Sequence, residues 1–144
     1  MITRIFKKDI AECAKLHSIT FSLPPWSEEA DYKYGLRHVK NMLETLNSFG
    51  FKYNDDEVIV GYIIGYIEEF ADGRLLRIKE LLVHPDFQRK TIGSHLMRHA
   101  EKYAREKDCV KIMLSTFRDS SANNFYVKSG YQEFDKIVAM GKIL

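Results

Sequence analysis

Residues 80–96 read Glu80-Leu81-Leu82-Val83-His84-Pro85-Asp86-Phe87-Gln88-Arg89-Lys90-Thr91-Ile92-Gly93-Ser94-His95-Leu96. An apolar run stops at a proline, a short polar and basic loop follows, and an amphipathic stretch begins, which is the pattern of a strand, a turn and a helix start. The first turn of a helix leaves backbone N–H groups unpaired and carries partial positive charge, so the N–H groups from Arg89 to Ser94 make an anion site. Gly93 lets a phosphate approach the main chain, and Arg89 and Lys90 add mobile positive charge. The same string also fits an ordinary strand-to-helix turn with a packing glycine. Neither G-x-x-x-x-G-K-[ST] nor G-x-G-x-x-G occurs, which removes the usual signatures of nucleotide hydrolysis and hydride transfer.

Working outward, residues 58–70 form a β-branched and aromatic run, Asp72-Gly73 a hairpin turn, and residues 74–83 the returning strand. A strand over 51–53 precedes them, and residues 2–6 open the chain as another. Asp9 is placed to cap a first helix with Ile10, Cys13, Ala14 and Phe21 on one side, interrupted by Pro24 and Pro25. Ser27, Glu28 and Glu29 start a second helix with Ala30, Tyr34, Val39, Leu43 and Leu46 as its stripe and Gly50 as its stop. Downstream, the spacing of Ile92, Leu96, Ala100, Tyr103 and Ala104 predicts a helix over 89–107. A strand over 111–116, a helix over 120–128 stopped by Gly130, and closing strand material over 131–143 complete the chain. The order βααβββαβαβ predicts a single α+β domain, residues 1–144, with three α/β/α layers around a mixed, mostly antiparallel sheet.

A chain of 144 residues with 45% hydrophobic content is enough for one well-packed core. Its 22 Lys+Arg and 20 Asp+Glu leave +2, which disfavours a nucleic-acid partner held by bulk charge. The balance is segregated, however: residues 26–83 carry −4 and residues 84–144 carry +4. Cys13 and Cys109 lack metal spacing and suit a reduced compartment, no apolar run approaches the ~18 residues of a membrane span, and the N-terminus does not read as a signal peptide. We therefore expect a cytoplasmic protein with no membrane partner. His95 and His99 share a helix face but have no third ligand at matching spacing, so no metal site is expected.

The stretch Leu81 to Gly93 resembles the acetyl-CoA motif of the GNAT superfamily of N-acetyltransferases, Q/R-x-x-G-x-G/A after a strand reading L-x-V-x-P. Asp119-Ser120-Ser121-Ala122-Asn123-Asn124-Phe125-Tyr126-Val127-Lys128-Ser129-Gly130-Tyr131 is similar to that family's second signature, N-x-x-A-x-x-F-Y-x-K-x-G-F. Thr91 stands where the family has its first loop glycine, and Asp119 where it has asparagine. The resemblance implies acetyl transfer from acetyl-CoA to a primary amine in a ternary complex. It places the cofactor on Leu82, Val83, Gln88, Arg89, Lys90, Thr91, Ile92, Gly93, Ser94, Asn123 and Tyr126, with pantetheine paired to the main chain of Leu82 and Val83.

An amine of pKa ~10 must lose a proton before it attacks, the tetrahedral oxyanion needs a donor, and the leaving thiolate benefits from an acid. Glu80 shares strand parity with Leu76, Ile78 and Leu82, which puts a carboxylate on an apolar side where desolvation would favour its protonated form, and it is the base expected here. The Leu82 N–H is the expected oxyanion donor and Tyr126 the expected acid. Glu68 and Glu69, at a strand end, are placed to attract a cationic acceptor. An aminoglycoside- or polyamine-like small molecule is the acceptor expected first. A protein N-terminal or lysine acetyltransferase and a non-catalytic acyl-CoA sensor are the alternatives. Since family members dimerise through edge strands or C-terminal elements, residues 131–144 are also compatible with a homodimer contact.

Overall fold

A computed structural model describes residues 1–24, 26–28 and 31–144 of the chain. Its elements are β1 (Ile2–Arg4), α1 (Ile10–Ser22), α2 (Tyr32–Leu43), β2 (Ser48–Asp55), β3 (Val58–Phe70), β4 (Gly73–Val83), α3 (Ile92–Glu106), β5 (Cys109–Met113) and α4 (Ser121–Lys128). The five strands lie in sequence order, β1 to β4 antiparallel and β5 parallel to β4. The long β3–β4 hairpin turns at Gly73, whose φ of 131° is closed to other residues, and α3 supplies the crossover that a parallel β5 requires.

Each sheet face buries one apolar set. Val60, Ile63, Ile67, Leu76 and Ile78 pack on Ile92, Leu96, Met97 and Ala100 of α3, with Phe125 and Tyr126 of α4 at the margin. On the opposite face Ile59, Tyr62, Ile64 and Leu82 pack on Cys13 and Leu16 of α1 and on Val39 and Met42 of α2. These are the three expected layers.

The local differences have physical causes. Asp9 does not cap α1: its carboxylate accepts from Phe6 N–H at 2.7 Å and pairs with Lys52 Nζ at 2.7 Å. The second helix begins at Asp31, whose side chain accepts from Tyr34 N–H at 2.7 Å, rather than at Ser27; Pro25, Glu29 and Ala30 lie outside the described residues. It ends at Leu43, so Gly50 is no stop but a position in β2, where a Cβ would press on Leu43 and Ile5. Closing strand material over 131–143 is not found. Residues 131–144 contain no strand, and Met140 and Ile143 are 92% and 99% exposed. An apolar-rich stretch makes a strand only where a sheet edge meets it, and this segment reaches none.

Candidate active site

The decisive feature is one irregular rung in the β3–β4 hairpin. Ile64 pairs with Glu80 and Gly65 pairs with Ile78, so Lys79 is an inserted residue, a β-bulge. Side chains alternate along a strand, and one extra residue reverses every side chain after it. Glu80 therefore does not share a face with Leu76 and Ile78, which look at α3. It joins Leu82 on the α1/α2 face, and the parity expected from the sequence is corrected there.

On that face three side chains converge on Glu80. The Tyr62 hydroxyl donates to Oε1 at 2.5 Å, His38 Nε2 lies 2.9 Å from Oε2, and His17 Nε2 stops 3.7 Å from Oε2. The Glu80 and His17 side chains are 12% and 3% exposed, while His38, at 29%, opens towards solvent. Burial holds the Tyr62 phenol protonated well above its ordinary range, with the Glu80 charge adding to the effect. The bond to Glu80 raises His38 above the usual imidazole value against the opposing effect of burial, whereas burial lowers His17 despite the nearby carboxylate. Tyr34 stacks on His38 at 5.6 Å, Phe21 lies 4.7 Å from His17, and Trp26 meets Phe21 edge-on at 5.2 Å, so the group sits under an aromatic rim. None of His17, His38 and Tyr62 has a motif spacing to Glu80. The one signal available was polar: His17 falls on the buried side of α1, between Cys13 and Thr20.

Glu80 also borders an opening in the sheet. The last β4–β5 rung is Arg77 with Met113, and over residues 78–83 the β5-side edge of β4 has no strand partner among the described residues. His84 N–H donates to Val60 O at 2.8 Å across the β3 side. Because N–H direction alternates, Leu82 N–H also points to β3, where Tyr62 is its partner. The free donors on the open edge are those of Leu81 and Val83, one residue to either side of the expected Leu82. Gln88 Nε2 holds the Val83 carbonyl at 3.0 Å.

The loop beyond is built as an anion cradle. Arg89 and Thr91 take left-handed φ values of 62° and 66°, and the first α3 bond runs from His95 N–H to Thr91 O at 3.0 Å, leaving Ile92, Gly93 and Ser94 N–H ahead of it. Thr91 thus adopts the backbone suited to the glycine that the resemblance placed there, with its hydroxyl on Lys90 O at 2.5 Å. Gly93 is not left-handed, and a Cβ there would meet Phe125 at an ordinary 3.5 Å. Arg89 and Lys90 are exposed.

On α4, Ser120 Oγ caps Asn123 N–H at 3.0 Å. Tyr126 packs between Phe125 and Tyr131, its phenol is pushed up to about 12 by burial, and its hydroxyl has no partner among the described residues. It belongs to the α3 side of the sheet, and Glu80 to the α1/α2 side, so the open β4 edge lies between the two. Glu68 and Glu69 stand at the far end of the hairpin, paired with Arg77 Nε at 2.6 Å and Arg74 Nε at 2.7 Å. His95 and His99 pack separately on Tyr53 and Phe51. A shallow cleft of about 160 Å³ lined by Arg4, Phe51, His99 and Tyr103 lies on the α3 side and holds none of the groups that meet at Glu80. No helix among the described residues is long and apolar enough to cross a membrane.

Comparison with known proteins places the chain in a family. A segment of 58 residues, 40% of the chain, is 34% identical to tRNA(Met) cytidine acetyltransferase TmcA of Aeropyrum pernix, of whose length it spans 8%. The fold matches an aminoglycoside acetyltransferase, meta-AAC0020, from an uncultured soil metagenomic sample in complex with sisomicin, with a TM-score of 0.77 and 21% identity over 100% of this chain and 95% of that one. It likewise matches aminoglycoside N-acetyltransferase AAC(6')-Iy in complex with CoA, with a TM-score of 0.77 and 15% identity over 99% and 93%. The sequence itself fits the acetyltransferase (GNAT) family over residues 10–131. With its open β4 edge, its helix-end anion cradle and most of its length inside that match, the chain belongs to the GNAT acetyltransferase family, whose donor is acetyl-CoA, and is an acyltransferase.

Proposed function

We propose that the chain acetylates a primary amine of a small molecule, aminoglycoside- or polyamine-like, by direct attack on acetyl-CoA in a ternary complex. The observation that carries this is the position of Glu80, a buried carboxylate held by Tyr62 and His38 on the strand segment whose other edge is open. Pantetheine pairs with the main chain of that edge, and the pyrophosphate sits on the Ile92, Gly93 and Ser94 N–H groups with Arg89 and Lys90 beside it. The ammonium enters under Phe21, Trp26 and Tyr34, whose ring faces attract a cation. The Glu80–His38 pair takes its proton and His38 passes it to solvent.

The amine nitrogen then bonds to the thioester carbon, and the Leu81 or Val83 N–H stabilises the oxyanion. The C–S bond breaks as the carbonyl re-forms, and one of the two protons on the former amine nitrogen goes to the sulfur while the amide keeps the other. With a phenol at about 12 against an ordinary thiol near ~8.5, Tyr126 acts on that sulfur as a hydrogen-bond donor rather than by giving up its proton. An acceptor role for Glu68 and Glu69 requires them to exchange Arg77 and Arg74 for the substrate. The −4 over residues 26–83 favours a cationic acceptor, and the +4 over 84–144 an anionic cofactor.

The test is CoA release from acetyl-CoA across a panel of aminoglycosides, polyamines, lysine and N-terminal peptides. Turnover with a small polyamine or aminoglycoside that falls at least ~10²-fold in Glu80→Gln is the expected result. Turnover confined to peptides would transfer the assignment to protein acetylation. A raised melting temperature with acetyl-CoA but no turnover on any amine would leave a binding module.

A further inference from the structure

We infer that His17, His38 and Glu80 form a binding site for a zinc-class transition-metal dication. The three residues come from α1, α2 and β4, far apart in the chain, yet their donor atoms all lie within 4.8 Å of one another. Two of the three separations are 2.9 Å and 3.7 Å, both onto the same oxygen, Glu80 Oε2. A tetrahedral zinc ion with bonds of ~2.0–2.1 Å spaces its ligands by about 3.3 Å, so the donors already bracket the distance required.

The carboxylate is oriented for the task. Tyr62 takes Oε1, which leaves Oε2 as the atom facing both imidazoles, and that second bond is of the kind that fixes a metal's carboxylate ligand. His17 provides an independent observation. Its side chain is 3% exposed, Nδ1 has no partner among the described residues, and Nε2 is too far from Oε2 for a hydrogen bond. The buried unpaired atom is Nδ1, and Nε2 faces the Glu80 carboxylate across 3.7 Å, beyond hydrogen-bond reach, with the spacing of two ligands about a shared ion. A cation between Nε2 and Oε2 gives those two atoms a shared partner.

Two imidazoles and one carboxylate select zinc, cobalt, nickel or copper over calcium or magnesium, which take oxygen ligands. The half-open side at His38 leaves room for a water as fourth ligand. Metal on Oε2 and His38 Nε2 displaces the bond between them, so that pair can no longer accept the amine's proton. The consequence for turnover rests on the function proposed above; the binding does not. Bound zinc is then a reversible inhibitor that competes with the amine and leaves acetyl-CoA affinity unchanged.

The test uses the chelator-treated full chain, with Zn²⁺ in calorimetry and Co²⁺ in absorption spectroscopy. The expected result is one equivalent of Zn²⁺ bound, with a Co²⁺ ligand-field spectrum lacking a thiolate charge-transfer band. Affinity falls at least tenfold in both His38→Ala and Glu80→Gln. The double variant His95→Gln/His99→Gln, whose residues lie outside the cluster, binds as the wild type does. His38→Ala, at a half-open position, guards against a mere folding defect and is checked by its melting curve without metal. Binding that survives in His38→Ala, that disappears in the His95/His99 variant, or that is absent altogether overturns the inference. Stoichiometric zinc binding without turnover on any amine would sink the proposed function and leave the site; turnover in a chain that binds no zinc would do the reverse.

Discussion

Substituting Gly65 by alanine tests whether the bulge places the Glu80 carboxylate proposed as the base. At the bulge the Arg77 carbonyl turns into the space that a side chain on the facing strand would fill. A Cβ on Gly65 would stand 2.0 Å from that oxygen and 2.8 and 2.9 Å from the Phe49 ring. Ordinary contact begins near 3.4 Å, so the carbonyl must withdraw by more than 1 Å, and as a backbone atom inside the sheet it cannot do so by a rotamer change. Overpacking of this kind costs about 3 kcal/mol, at the upper end of what added methyl groups do in cores. With a urea m-value of about 1–3 kcal/mol/M for a domain of this size, the unfolding midpoint should fall by roughly 1–3 M. Activity should fall further than stability. Loss of the bulge re-aims Glu80, and misplacement by about 1 Å is worth on the order of 10²-fold in rate. The assay pairs urea denaturation with kcat/KM for the best amine, measured where the variant is still folded. A midpoint within 0.2 M of wild type, or kcat/KM unchanged in the folded variant, would refute the claim that this inserted residue orients the site, with the 0.2 M set as roughly the least shift the m-value resolves.

Thr91→Gly should raise stability by about 1 kcal/mol, because a β-branched residue at a φ of 66° carries left-handed strain that glycine lacks; acetyl-CoA affinity, read by calorimetry, should hold because the N–H groups remain. Tyr126→Phe should leave the melting temperature nearly unchanged, since the hydroxyl has no partner to lose among the described residues. It should lower kcat by roughly 10–10²-fold with little change in KM for acetyl-CoA. The His38–Glu80 bond raises the folded imidazole above its usual value, so its stabilisation is complete below pH ~6.5 and is lost as pH rises through the raised folded value. Over the same interval His38 becomes able to accept a proton, and kcat/KM should climb with an inflection above ~6.5. His38→Gln should flatten both the stability slope and that inflection, and a wild-type profile in the variant would exclude His38 from proton transfer.

The sequence made legible much of what depends on local pattern, though not the caps at Asp9 and Ser27 or the stop at Gly50. The hairpin, the strand-to-helix turn at residues 83–92 and the short helix over 120–128 follow from apolar periodicity and turn chemistry within a few residues, and each is found in the structure. Counting parity along β4 failed for a nonlocal reason: the insertion at Lys79 is defined only by the partner strand, through the rungs Ile64–Glu80 and Gly65–Ile78. Glu80 was nonetheless singled out, because a carboxylate in an apolar strand demands partners on whichever face it occupies. Those partners were hidden. His17 and His38 sit on separate helices, and Tyr62 looks in the sequence like one more aromatic of a strand core. The Leu82 donor was misplaced because the direction of a peptide N–H is set by the strand across from it, here by the bond of His84 to Val60. The tail over 131–144 presents the mirror case, an apolar-rich stretch without an edge to receive it. In each instance a single strand's pattern states what it needs, a buried face or a paired edge, and only the neighbouring strand or helix determines whether and on which side that need is met. The groups proposed to react lie where such needs are answered from across the sheet: Glu80 by two helices, and Leu81 and Val83 by a β5 that, among the described residues, stops pairing at Arg77.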